Sequence, residues 1–519
     1  MSPNSFFVQA VSEADSDWGL AHLVTIRRLY YFIGALLVYK IIHQLFLYPY
    51  LLSPLRTVPG PPIGEPILGQ SAKIFNYETG IVQREWVKQY GSVVRVVGPV
   101  GVERLIFMTP EALYQILVRG WLDHPRPRYL RNILGLVAGY GLLTVTGDEH
   151  RKMHKVMNPA FSIPNLMAQT DMYYEPIEGL IDVLSSQLPG PEGAVIPVYE
   201  WMSKATLDII CKTAFGYHTD SLHNPHNELA EAYEMLLSLQ SGPNMARFIF
   251  FMLLPGGAKF FSSNLAYRMR NVFSYIGFFA PLTPLIDSTH RIRDISKRIL
   301  DQKMKETSES GITADDTHTK KDIMSILVRA RQADLHKDQT AYAMSDTAMI
   351  DQVTLWLLAN DKTSQQRLRD EVRPVMAAKL RPDYKTLKSL QWLDCVVMES
   401  LRVMPPVPLT VRKTAKTDYI EGVLVPKGTL LHICIRNVNT WQIIWGEDAE
   451  EFHPGRWLNL PETYNPAFSL LSFIAGPHGC IGKTMAIIEM KAVLAALITN
   501  FEFEPTYDGQ QAQPSLRLR

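Results

Sequence analysis

The chain has 519 residues, 47% hydrophobic and 20% charged, an ordinary globular composition with ample apolar material for a large core. Its formal net charge of +1 gives no electrostatic case for nucleic acid as a partner. Four cysteines in a chain of this length make no disulfide scaffold, and no Cys/His cluster has zinc-finger spacing.

Residues 1–28 form a polar segment. Glu13, Asp15 and Asp17 lie in it, and no small-residue cleavage site follows a short apolar core, which argues against a removable secretory signal. Residues 29–48, Leu29 to Tyr48, are dominated by Tyr, Phe, Ile, Leu and Val and just supply the roughly 20 apolar residues that a membrane-spanning helix needs. Pro49 is expected to end this helix. Tyr30, Tyr31, Tyr48 and Tyr50 stand where interface anchors belong. Lys40, His43 and Gln44 interrupt the run, so a helix lying in the interface is the alternative. Residues 49–64 contain Val58-Pro-Gly-Pro-Pro62, a stiff non-helical connector.

Beyond Thr79 the pattern is mainly helical. Ala205–Ala214, Ile292–Lys305, Asp322–Ala333 and Leu393–Val403 repeat apolar residues at three- and four-residue spacing. Val93–Val97, Leu105–Met108 and Leu430–Ile435 read as short strands. Glu306–Lys321 is polar, without Phe, Trp or Tyr, and reads as a mobile surface loop. No internal repeat is present. The expected architecture is mainly α with small β-sheets, a single large domain over 65–519 behind an N-terminal membrane helix.

Three cysteines, Cys211, Cys395 and Cys434, sit among apolar neighbours and read as small buried hydrophobes. Cys480 differs. It lies in Phe473-Ile-Ala-Gly476-Pro-His478-Gly479-Cys480-Ile-Gly482, just before the apolar helical run Ile487–Leu497. Glycines let such a loop turn tightly and approach a flat ligand. A cysteine at a helix start is favoured as the thiolate, the form that binds metal.

This stretch resembles the haem-binding loop of the cytochrome P-450 family, Phe-x-x-Gly-x-Arg/His-x-Cys-x-Gly, at every fixed position. The resemblance extends over roughly Pro59 to Tyr507. It implies the cytochrome P-450 fold, haem b (iron protoporphyrin IX) as cofactor, Cys480 as axial iron ligand and His478 directed at a propionate. A thiolate ligand favours O–O cleavage, which is why it accompanies monooxygenation.

Further pieces follow the family order. Glu399 and Arg402 are three apart on one helix face, and Phe452-His-Pro-Gly-Arg456-Trp matches the Phe-x-Pro-x-Arg element. By resemblance, Glu399, Arg402 and Arg456 form a buried structural triad behind the haem loop. Arg412, and His150 and His154 in Gly147-Asp-Glu-His-Arg-Lys-Met-His154, take the positions of propionate contacts. The anchor and hinge imply the microsomal branch: an endoplasmic reticulum protein with its haem domain facing the cytosol, fed by a separate NADPH-cytochrome reductase and acting on a lipophilic small-molecule substrate.

One element departs from the family. The motif Ala/Gly-Gly-x-Asp/Glu-Thr-Thr, midway along the helix over the distal haem face, is missing. Ala348–Val353 resembles the start of that helix, and Thr354–Thr363 its far end, running straight into Gln365–Val372. Either about fifteen residues are absent, about 22 Å of helix, or Ala359-Asn-Asp-Lys-Thr363 is a degenerate oxygen site with Thr363 as its hydroxyl. The helical pattern resuming at once favours the first alignment. A chain so shortened would be an impaired paralogue or the product of mis-splicing. The C-terminus, Gln511–Arg519, also looks short for the family's closing hairpin.

Overall fold

The computed structural model describes residues 28–506, apart from 66, 140, 191, 225, 239–255, 278, 310–321 and 325–346, together with 516–518. These residues divide into two compact units. One takes the chain up to Phe107 with Lys416–Leu431; the other takes Met108–Ala415 with the chain from His432 onward.

In the first unit, helix α1 (Arg28–Leu52) is apolar, and nothing in its most apolar 18-residue window is buried. It is the one described helix long and apolar enough to cross a membrane. Pro49 does not end it. From His43 the turns widen to π geometry and carry Pro49 inside. A wider turn relieves the clash between the proline ring and the carbonyl four residues back, and proline needs no donor there. Helix α2 (Ile81–Tyr90) leads into strands β1 (Val93–Val97) and β2 (Glu103–Phe107), paired antiparallel with Val93 opposite Phe107. A second hairpin pairs Asp418–Ile420 with Val423–Val425.

The second unit is mostly helical. In chain order it contains α3 (Gly147–Met157), β3 (Ala194–Ile196), α4 (Val198–Phe215), α5 (Thr283–Glu309), α6 (Thr347–Asn360), α7 (Lys362–Ala378), α8 (Gln391–Val403), β4 (Thr410–Lys413), α9 (Lys483–Asn500), β5 (Phe503–Glu504) and β6 (Leu516–Leu518). Helix α9 is its axis. Ile488, Val493, Leu494, Leu497 and Ile498 join Leu355 and Leu358 of α6, Ile209 of α4 and Val396 and Leu401 of α8 in one apolar core. Lys491 is buried too, but its ammonium donates to Leu387 O at 3.2 Å and pairs with Asp394 at 2.8 Å.

Two expectations change in detail, and a third falls mostly outside the described residues. The surface loop predicted from Glu306 begins later, because α5 continues to Glu309; residues 310–321 lie outside the described residues. Of Asp322–Ala333 only 322–324 are described, with Ile323 and Met324 helical. The chain end forms an ordered strand: β6 pairs with β3 through Val195 opposite Arg517, and with β5 through Phe503 opposite Leu518. Leu518 is fully buried, which is what holds so short a strand.

Helix α8 carries residues that matter below, and its start is held from a distance. Leu390 at the N-cap offers no side-chain acceptor. Glu371 of α7 replaces it, accepting from Trp392 N–H at 2.9 Å and Leu393 N–H at 2.8 Å. These charge-assisted bonds satisfy two orphan donors at the positive end of the helix. Glu371→Ala is expected to lower stability by about 1–2 kcal/mol. Glu371→Gln, which keeps one acceptor oxygen, should lose less, both read as denaturant midpoints.

Candidate functional site

The loop bearing Cys480 is closed on itself. Cys480 N–H donates to Phe473 O at 2.9 Å and Gly479 N–H to Gly476 O at 2.8 Å. Gly476 has φ +78°, and a Cβ there would stand 2.3 Å from Leu117 O, so only glycine fits the backbone contact that seats the loop. Ile474 is held at φ 55°, a conformation that β-branched residues avoid. Such strain persists only where the surroundings over-determine it. Gly482 is the N-cap of α9, so the sulfur lies at the positive end of that helix.

Cys480 is exposed, whereas Cys211, Cys395 and Cys434 are buried. Burial pushes the Cys211 and Cys434 thiols up to about 12 and the Cys395 thiol to about 11, which keeps them protonated and inert. Among the described residues, no group of three or more His, Cys, Asp and Glu could hold a metal ion. A lone accessible cysteine suits a metal whose other ligands come from a macrocycle.

Beside this loop the structure gathers nitrogen donors from arginine and histidine. Arg412 on β4 is 2% exposed. Its Nη1 donates to Thr410 Oγ1 at 3.1 Å and Val411 O at 3.0 Å, and its Nη2 makes no hydrogen bond. His478 is buried with Nδ1 unbonded. The rings of His478 and His150 are 4.0 Å apart, and His154 lies 5.7 Å beyond His150 on α3. Thus Arg412, His150, His154 and His478, distant in sequence, come together.

Two further members were not visible in the sequence. Trp121 stacks edge-on to His478 at 5.4 Å and carries the Arg151 guanidinium at 5.5 Å. Arg126 enters because Lys413 N–H donates to Pro125 O at 2.9 Å and Ala415 N–H to Asp123 O at 2.8 Å, tying its loop to β4. In Asp123-His-Pro-Arg126-Pro nothing marks that arginine out from any loop cation.

The electrostatics of this cluster are one-sided. Burial and then Arg126 push the Arg412 guanidinium down to about 9. Burial, Arg126 and His154 push His150 down to about 4. Burial, then Arg126, His150, Arg412 and His154, drive His478 lower still. Among the described residues, no carboxylate contributes to any of these three shifts. A buried set of donors with unbonded N–H groups and no acid is complementary to an anion. The two carboxylates of a haem would fit such a set, and Cys480 would then be the residue to hold its iron.

Behind the loop, Glu399 and Arg402 of α8 are both fully buried. Arg402 donates from Nε to Glu399 Oε2 at 2.7 Å and from Nη2 to Oε1 at 2.8 Å. It also donates to the carbonyls of Asn439, Ala449 and Glu451. Glu399 accepts in addition from Trp457 Nε1 at 2.9 Å and His453 N–H at 2.8 Å. Arg456 reaches Glu399 at 3.4 Å, but its closer partner is Asp448, bound through both terminal nitrogens at 3.0 and 3.2 Å. Asn439 then links this group to the loop, donating to Ser472 Oγ and accepting from Leu471 N–H.

Thr363 does not join the site. Helix α6 stops at Asn360, and Asp361 caps the next helix by accepting from Ser364 N–H at 3.0 Å. Thr363 therefore stands exposed in the first turn of α7. Ala359–Thr363 is a junction between two helices, which removes it as a degenerate oxygen site within one. The buried hydroxyl on α6 is Thr354.

Glu399→Gln strips the counter-charge from a buried guanidinium and is expected to cost about 3–5 kcal/mol, seen as a lowered melting temperature. Arg456→Lys, with Asp448 still able to pair, should cost less. In the ligand-free protein, Arg126→Gln removes a like charge, so the His150 pKa should rise from about 4 toward the ordinary imidazole value, measured by NMR titration.

The model of the family described as Cytochrome P-450 matches residues 59–517. Cytochrome P-450 monooxygenase 205 of Postia placenta is 30% identical over 497 residues, covering 87% of each chain. Monooxygenase 219 of the same fungus is 30% identical over 522 residues, covering 90% of this chain and 93% of that one. Cytochrome P-450 monooxygenase sphH of Aspergillus fumigatus is 28% identical over 498 residues, covering 90% and 86%. An exposed cysteine at a helix start, an acid-free cluster of arginine and histidine beside it and a match along nearly the whole body lead to one assignment: the chain belongs to the cytochrome P-450 family of monooxygenases.

Proposed function

We propose that this chain binds haem b through Cys480 and oxidises a lipophilic small molecule with O2 and electrons from a separate NADPH-cytochrome reductase. The observation that carries the reading is the pairing of an exposed Cys480 with the acid-free cluster of Arg126, Arg412, His150, His154 and His478. When bound, the haem supplies the oxidising chemistry, inserting one oxygen atom into an unactivated C–H bond. The chain's own residues do the rest. Cys480 supplies the axial thiolate, favoured by the positive end of α9. Arg412 and His478 offer unbonded nitrogens to the propionates, and Arg126, His150 and His154 add positive potential or donors around them. Glu399, Arg402 and Arg456 hold the loop against α8. The apolar helix α1 anchors the protein to the endoplasmic reticulum membrane with the haem body in the cytosol, which suits a lipophilic substrate.

A second reading has its own observation. Thr363 lies off α6 and exposed, and the sequence of that helix carries no acid–alcohol pair of the family kind to relay protons to oxygen. The chain then binds haem without reductase-driven turnover.

Cys480→Ser is expected to abolish the red-shifted Soret band that thiolate-ligated ferrous haem shows with carbon monoxide; its survival would overturn the ligand assignment. Product formed from a panel of lipophilic compounds only with NADPH and reductase supports turnover. A thiolate spectrum with no such product, and product with added hydroperoxide alone, supports loss of the relay.

A further inference from the structure

Three imidazoles beside the Cys480 loop form a row. His154 on α3 is half-buried, His150 one turn before it is 3% exposed, and His478 lies beyond, buried in the loop. Successive rings stand 5.7 and 4.0 Å apart. The row therefore leads from water into the buried set of donors.

Arginine and histidine differ in one respect that matters here. A guanidinium keeps its charge at ordinary pH, whereas an imidazole carries one only where its surroundings favour it. The groups that face His150 are Arg126 from the 123–127 loop, His478 from the Cys480 loop and His154 from its own helix, with the Trp121 ring at 6.3 Å. Arg412 acts on His478 behind it. Arg126 is fixed in place, donating from Nη1 to Leu143 O at 2.9 Å. The acids in the first turn of α3 do not answer it: Asp148 and Glu149 are exposed, and Asp148 pairs outward with Arg151 at 3.2 Å. Burial, Arg126 and His154 hold His150 down at about 4, so the ring is neutral near neutral pH.

Two carboxylates placed against this cluster reverse the balance, because opposite charge within about 4–6 Å favours the protonated imidazole. A group whose pKa a ligand raises makes that ligand bind more tightly as the pH falls. The gain is complete below about 4, the ligand-free value, and is lost as the pH rises through the value reached in the complex.

We propose that His150 takes up a proton, supplied from water along His154, when the carboxylates of haem enter, so that the chain holds its haem more tightly in acid than in alkali. The proton comes from solvent and returns there on release; no electron moves. This rests on the reading of the chain as a haem protein, and the test separates the two. Full-length holoprotein in detergent micelles is mixed with excess apomyoglobin, and haem loss is read as the Soret band moves to that of the globin. Loss from the parent is expected to be several-fold slower at about pH 6 than at about pH 8, within the limit of about tenfold per pH unit that one proton sets. His150→Gln keeps a donor but takes no proton. It is expected to lose haem faster than the parent at the lower pH, with most of the pH dependence gone. A merely structural role would raise both rates and leave their ratio as in the parent, which overturns the proposal, as do equal rates in the parent; the haem reading then stands. A parent without a thiolate haem spectrum sinks both. Should His150→Gln fail to fold, His150→Asn is read in its place.

Discussion

The buried pair of Glu399 and Arg402 is the constraint on which the loop bearing Cys480 depends. A fully buried guanidinium is tolerable only when its fork is filled, and here a bidentate carboxylate and three carbonyls fill it. The carbonyls belong to Asn439, Ala449 and Glu451, so one side chain gathers the segment 439–451, whose one internal helix, Gln442–Trp445, is a single turn. Asn439 passes the constraint to Leu471 and Ser472, immediately before Phe473. Position of the sulfur is therefore set by a chain of buried polar contacts, each with a defined direction, and not by apolar packing alone.

On the other side of the loop the balance is reversed. Arg126, Arg412, His150 and His478 crowd together with no compensating acid among the groups that shift them. Alone this arrangement opposes folding, because two neighbouring guanidiniums held from water and unbonded donors are unfavourable. An anionic ligand converts each of those terms into attraction, so ligand binding and folding stability are linked. The two sides of the loop thus divide the work: one side is satisfied within the protein and rigid, the other is complementary to something the protein must receive.

The first unit shows the same economy of fixed polar contacts at a different place. Arg95, Glu103 and Ser53 tie a helix end to a hairpin, and the π turns from His43 let the helix pass Pro49 without breaking. A helix that would otherwise hinge at its proline runs on to the residues that meet the hairpin.

Much of this was legible from the chain alone. The spacing of Gly476, His478, Cys480 and Gly482, the three-residue interval of Glu399 and Arg402, and the apolar run from Leu29 are local patterns, because backbone geometry repeats over a few residues whatever lies beyond. The same patterns placed α4, α8 and β1 close to where they stand. What the tertiary structure alone decided are partnerships between segments far apart in the chain. Asp448 as the nearer mate of Arg456, Glu371 as the cap of α8, Arg126 and Trp121 as members of the acid-free cluster, and the exposed place of Thr363 beyond the Asp361 cap all depend on which loops are brought side by side. A side chain's spacing to its neighbours says nothing of that, since it is the burial of the core around α9 that sets those distances.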